Sequence, residues 1–90
     1  MLLELRRAYI TYSAPVLQVL AEQAGQPIEE RELFAVVSKD VGKPEVRQYQ
    51  LALGALAKEG LIVVTGKNDF GDPLYRITDQ GASVAPSRPA

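Results

Sequence analysis

Few side chains in this chain could do covalent or acid–base chemistry. There is no histidine and no cysteine among its 90 residues. Zinc sets built from those two types are therefore excluded, as are structural disulfides. Ser13, Ser38 and Ser83 have no imidazole to activate them as nucleophiles. Glu29, Glu30 and Glu32 cluster, but no second set of ligands accompanies them, so no metal site is expected. No carboxylate or lysine pair stands out for general acid–base work. Gly54, Gly60, Gly66 and Gly71 are not spaced as a phosphate-cradling loop. The chain is read as a non-enzyme without cofactors. What remains is a set suited to recognition: Arg47, Gln48 and Gln50, with Lys43, Lys58 and Lys67 around them. Such residues serve either as a binding face or as a solvated helix surface.

The elements that must position this set follow from periodicity. Tyr49, Leu53 and Leu56 fall at helical spacing and run into Gly60, a residue that ends a helix cheaply. Leu61 to Thr65 is strand-like, residues 67–72 form a polar tip, and Leu74 to Thr78 returns. The helix is expected from about Pro44 to Glu59, with Val46, Tyr49, Leu53, Leu56 and Ala57 inward. A second helix opens at Glu29 and buries Leu33, Phe34, Val36 and Val37; its leading carboxylates suit the positive end of the dipole. The first helix is expected to start at Ser13, a capping residue followed by Pro15 in the first turn, and to stop at Gly25. Pro27-Ile28 reads as extended, and Thr78 as the cap of a final turn.

Composition fits one small domain. The apolar fraction is 47%, which is globular. A body of this size buries a modest core, so association would help it. No apolar run approaches the roughly 18 residues of a membrane span, and the first residues lack signal-peptide features. A cytoplasmic protein without membrane contact is expected. The formal net charge is -1, but the charge is polarised. Residues 39–67 hold five basic residues (Lys39, Lys43, Arg47, Lys58, Lys67) against three acidic ones, whereas residues 22–32 hold one Arg against four Glu. Local patches of this kind, more than net charge, govern association.

The run Tyr49-x3-Leu53-x2-Leu56-x3-Gly60-Leu61-Ile62, followed by Leu74-Tyr75-Arg76-Ile77-Thr78-Asp79-Gln80-Gly81, resembles the C-terminal half of winged helix-turn-helix regulators of the PadR and MarR types. Residues 13–20 with Arg31-Glu32-Leu33 are similar to the winged-helix module of Mrr-type restriction enzymes. That likeness covers the module alone, so no cleavage activity is expected. The resemblance implies an α+β winged helix-turn-helix fold: three helices plus a C-terminal two-stranded β-hairpin wing over residues 13–81. Residues 1–12 would be a separate dimerisation segment, and residues 82–90 a flexible tail.

The resemblance further implies a DNA-binding transcriptional regulator, and the apolar N-terminal residues make a homodimer the expected form. Its third helix would enter the major groove of double-stranded DNA. Arg47 would then fork onto a guanine, and Gln48 or Gln50 would pair with an adenine edge. Lys43, Lys58 and Lys67 would neutralise phosphates. An alternative of another class is a protein-interaction module docking through Leu51, Ala55 and Phe70, which offer no hydrogen bonds to bases. Leu2, Leu5, Tyr9 and Tyr12 are expected to pack across a two-fold axis.

Overall fold

A computed structural model describes residues 2–86, with side chains from residue 3 onward. The chain runs α1 (Leu2–Glu22), β1 (Ile28–Glu29), α2 (Glu30–Val37), a 3-10 turn (Ser38–Asp40), α3 (Val46–Lys58), β2 (Ile62–Lys67), β3 (Pro73–Ile77) and α4 (Asp79–Val84). The fold is α+β, with a three-stranded antiparallel sheet in the order β1-β3-β2. Ile28 pairs with Tyr75, and Ile62 pairs with Ile77. The register slips between Val64 and Gly66, leaving Thr65 in a bulge just before the hairpin tip.

α1 differs most from the sequence reading. It does not begin at Ser13 but runs unbroken through Pro15. A proline inside a helix forfeits one hydrogen bond and costs about 3 kcal/mol. The offset is visible in the packing: Ala8, Tyr12 and Val16 repeat every fourth residue and are fully buried. Breaking the helix at Ser13 would split this stripe, so core burial overrides the local start signal. The boundary expected between residues 12 and 13 accordingly lies in mid-helix.

α3 lacks Pro44, Glu45 and Glu59 of the expected span, and its buried side is Tyr49, Ala52, Leu53 and Leu56. Val46, expected inward, is 54% exposed. It stands in the first turn beside an open groove shared with Phe34 and Pro73. The other end follows the sequence closely. Gly60 takes φ +78°, the Leu61 N–H donates to the Leu56 carbonyl at 3.0 Å, and the Gly60 N–H donates to Ala57. This pairing satisfies carbonyls that the last helical turn leaves open.

Thr78 caps α4 as expected: its Oγ1 accepts from the Gly81 N–H at 3.0 Å. The same hydroxyl reaches the carbonyls of Gly60 and Leu61, so one side chain ties the end of α3 to the start of α4. Residues 82–84 were expected in a flexible tail but belong to α4, held by the Ala82 N–H to Thr78 carbonyl bond. The remainder of that tail beyond Pro86 lies outside the described residues. Gly81 is required by close approach. A Cβ there would run into the Leu61 carbonyl and stand 2.9 Å from Ile77 Cγ1.

The core gathers side chains from α1, α2, α3 and the sheet, and no polar or charged residue among those described is buried. Tyr49 sits at its centre, edge-on to Tyr12 at 5.9 Å and tilted against Phe34 at 4.8 Å. Its hydroxyl donates to the Glu30 carbonyl at 2.7 Å, which satisfies a buried phenol. No helix of the described residues is long and apolar enough to cross a membrane.

Candidate nucleic-acid interface

The inward stripe of α3 fixes which of its residues face out. With Tyr49, Ala52, Leu53 and Leu56 turned to the core, the 3.6-residue period puts Arg47, Gln50, Gly54 and Lys58 on the opposite arc. All four are exposed, whereas Gln48, Leu51 and Ala55 are half-buried along one flank. Lys43 is exposed in the loop before α3, and Lys67 is exposed at the end of β2. Lys43, Lys58 and Lys67 form no ion pair among the described residues. Each is thus a free monovalent cation on a flexible stem.

Arg47 is different. Its Nε donates to Glu4 Oε1 at 2.8 Å, and its Nη2 lies 3.5 Å from Glu4 Oε2. The Arg47 side chain nevertheless remains 75% exposed. Gln50 is also tethered, with Nε2 donating to Glu30 Oε1 at 3.3 Å. Two carboxylates that the sequence does not connect with α3 thus orient the two hydrogen-bonding side chains at the start of the arc. Their separations in sequence are 43 and 20 residues, so no local spacing could have pointed to them.

α1 braces the same helix at both ends. α3 has no side-chain cap of its own at Glu45. Instead the Tyr12 hydroxyl accepts the Glu45 N–H at 2.7 Å, satisfying one of the backbone donors that the start of a helix leaves open. At the far end the Tyr9 hydroxyl donates to Glu59 Oε2 at 2.8 Å. That hydrogen bond to a carboxylate is the main reason the Tyr9 phenol is held above its ordinary pKa, with burial adding to it. Tyr12 is therefore a core and capping residue of its own chain, fully buried, which corrects its expected place in a dimer surface. Tyr9 is half-buried and engaged with α3, and Leu5 borders α3 as well. The side chain of Leu2 lies outside the described residues. The outer face of α1 instead carries Leu3, 65% exposed, and Ile10, 70% exposed.

The hairpin tip is built by Asn68. Its Oδ1 accepts from the N–H groups of Phe70 and Asp72, both at 2.9 Å, and its own N–H donates to the Asp72 carbonyl at 2.9 Å. Such side-chain mimicry of a turn is the usual service of Asn in tight loops. The sequence signal was the Asn-Asp-Phe-Gly run itself. The arrangement presents Phe70 outward at 89% exposure, so Phe70 does not fold back on the sheet. Asp72 turns toward α2, where its Oδ2 lies 3.6 Å from Arg31 Nη2. Asp69 stays exposed beside Lys67.

Two open grooves flank the arc. One, of about 420 Å³, lies between α2, the start of α3 and the hairpin, over Phe34, Val46, Gln50 and Pro73. The other, of about 430 Å³, lies between α1 and α3 over Leu5, Leu51, Gly54, Ala55 and Lys58. Among the described residues no group of three or more carboxylates could hold a metal ion. No protein-family model, curated protein or solved structure matches this chain at a significant level.

Proposed function

We propose that the chain is a winged-helix domain that binds double-stranded DNA, with α3 in the major groove and the β2–β3 hairpin along the backbone as the wing. The element order supports the fold: helix, short strand, two helices, then a hairpin whose second strand pairs with the first short strand. The observation that carries the function is the outward arc of α3. It presents Arg47, Gln50 and Lys58 exposed, and Lys43 and Lys67 are exposed without an ion pair among the described residues. Arg47 and Gln50 are the side-chain types that fork onto guanine and adenine edges, and the lysines suit phosphates. Gly54 in the middle of the arc leaves open space, which lets a groove wall approach the helix backbone.

A role in transcriptional regulation as a homodimer belongs to the same proposal. Its dimer contact would be Leu3 and Ile10 on the outer face of α1, because Tyr12 is buried in the core. Sedimentation of the intact chain and of a Leu3→Asp, Ile10→Asp variant tests it; identical monomers at tens of micromolar would remove the dimer.

The test of binding is a polarisation titration on a mixed-sequence duplex pool at two salt concentrations. Three lysine–phosphate contacts per protomer give a log–log salt slope of about -3 for a monomer and about -5 for a dimer. Arg47→Ala costs about 1–3 kcal/mol on the preferred site. A slope near zero, or no retention of any duplex at low salt, would overturn the reading.

A second reading rests on Phe70 and the α1–α3 groove. An aromatic this exposed at the hairpin tip and, apart from it, an apolar groove floored by Leu51 and Ala55 also suit protein docking. Leu51→Glu with Phe70→Glu separates the two: retention of DNA by that variant supports the first reading, and loss of a protein partner with no DNA binding in the parent supports the second.

A further inference from the structure

We infer that Glu4 is a positioning residue that sets the sequence specificity of Arg47; this rests on the DNA-binding reading above. The geometry is a side-on fork. The carboxylate takes the Nε edge of the guanidinium at 2.8 Å and lies 3.5 Å from Nη2. Arg has a rigid, planar set of five donors. With the Nε edge engaged, the end-on edge formed by Nη1 and the outer hydrogen of Nη2 is left to meet an acceptor pair. That edge matches the O6/N7 pair of guanine in the major groove. Arg47 stands in the first turn of α3 on its outward arc, so a fixed guanidinium there points one recognition edge away from the body.

A carboxylate at the edge of a nucleic-acid surface weakens attraction for every phosphate near it. As a contributor to fold stability the pair is minor, because both partners are solvent-accessible, Glu4 at 38% and Arg47 at 75% of their side chains. Its use lies in order. An unrestrained Arg must lose its rotamer freedom on binding, and a restrained one has already lost it. The carboxylate therefore trades general affinity for discrimination: it lowers attraction to all duplexes and favours the site whose acceptor pair fits the held edge. Gln50 carries a matching restraint from Glu30, which is closer in sequence and longer at 3.3 Å.

The experiment is selection from a randomised duplex library, followed by titration of the enriched and the unselected pools. It uses the full chain, Glu4→Gln, Arg47→Ala and the double variant, each checked by far-ultraviolet circular dichroism. Glu4→Gln is expected to bind the unselected pool at least as tightly as the parent. Its preference for the enriched pool falls by about 2- to 10-fold, the ordering cost of one long side chain. In the Arg47→Ala background Glu4→Gln changes the preference no further, because Glu4 acts through Arg47. Unchanged preference in Glu4→Gln, or an equal loss with and without Arg47, overturns the inference while the binding reading stands. Failure of the parent chain to retain any duplex overturns both.

Discussion

Replacing Tyr12 by Phe removes one oxygen atom and isolates the link between α1 and α3. The ring stays, so its edge-on packing against Tyr49 at 5.9 Å is kept. The 2.7 Å bond from the Glu45 N–H is lost, together with the weak return bond to the Glu45 carbonyl at 3.4 Å. α3 has no side-chain cap to take over. An orphaned donor costs about 1–3 kcal/mol, and a lost cap about 0.5–2 kcal/mol. Glu45 lies at the surface, where water recovers part of the loss, so about 1–2 kcal/mol is expected. In a domain of this size that lowers Tm by roughly 4–16 °C. Urea titration followed by far-ultraviolet circular dichroism gives the change at constant slope. Amide exchange in the same variant should quicken at the first turn of α3, which holds Arg47, and leave β2 and β3 unaffected. A change within about 0.5 kcal/mol, the scatter of featureless surface substitutions, would refute the claim that Tyr12 caps α3.

Gly81→Ala forces a Cβ against the Leu61 carbonyl, a backbone atom that cannot swing aside; the cost is about 1–3 kcal/mol, with α4 released from the sheet, measurable as a lowered Tm and as new proteolysis after Thr78. Stability falls in alkali, because burial first, and the Glu30 charge second, hold the Tyr49 phenol above the ordinary tyrosine value of about 10. The folded chain keeps a proton that the unfolded chain has lost, so this contribution is full below about pH 10 and declines above it. Tyr49→Phe is less stable at pH 8 for want of the Glu30 carbonyl bond but loses less between pH 8 and 11; an equal alkaline loss in both proteins would contradict the assignment. Tyr9 and Tyr75, also shifted upward, leave part of the decline in place.

The segment from α3 to α4 was legible because its signals are local. Gly60 at the helix end, the polar tip and Thr78 before Asp79 each act within a few residues, and each performs the expected task. The outward arc of α3 followed from the same periodicity, which is why Arg47, Gln50 and Lys58 are found exposed. α1 was misread because a strong local start signal at Ser13 competes with a buried stripe that only the folded body reveals. Tyr9 and Tyr12 read from the sequence as dimer-surface residues, but their hydroxyls meet Glu59 and the Glu45 backbone at sequence separations of 50 and 33, beyond any periodic pattern. Val46 kept the helical spacing of the core yet stands open, because periodicity assigns a face and not what covers it. Glu4 gives no local signal, since its partner Arg47 lies 43 residues away in sequence.

The central claim is that the arc of Arg47, Gln50 and Lys58 meets duplex DNA. Backbone-amide NMR of the labelled chain, titrated with a mixed-sequence duplex at low salt, tests it most directly. Shifts are expected to concentrate from Lys43 to Lys58 and at Lys67, and to be reversed by added salt. Shifts confined to Phe70 and the outer face of α1, or no shifts at any ratio, would contradict it.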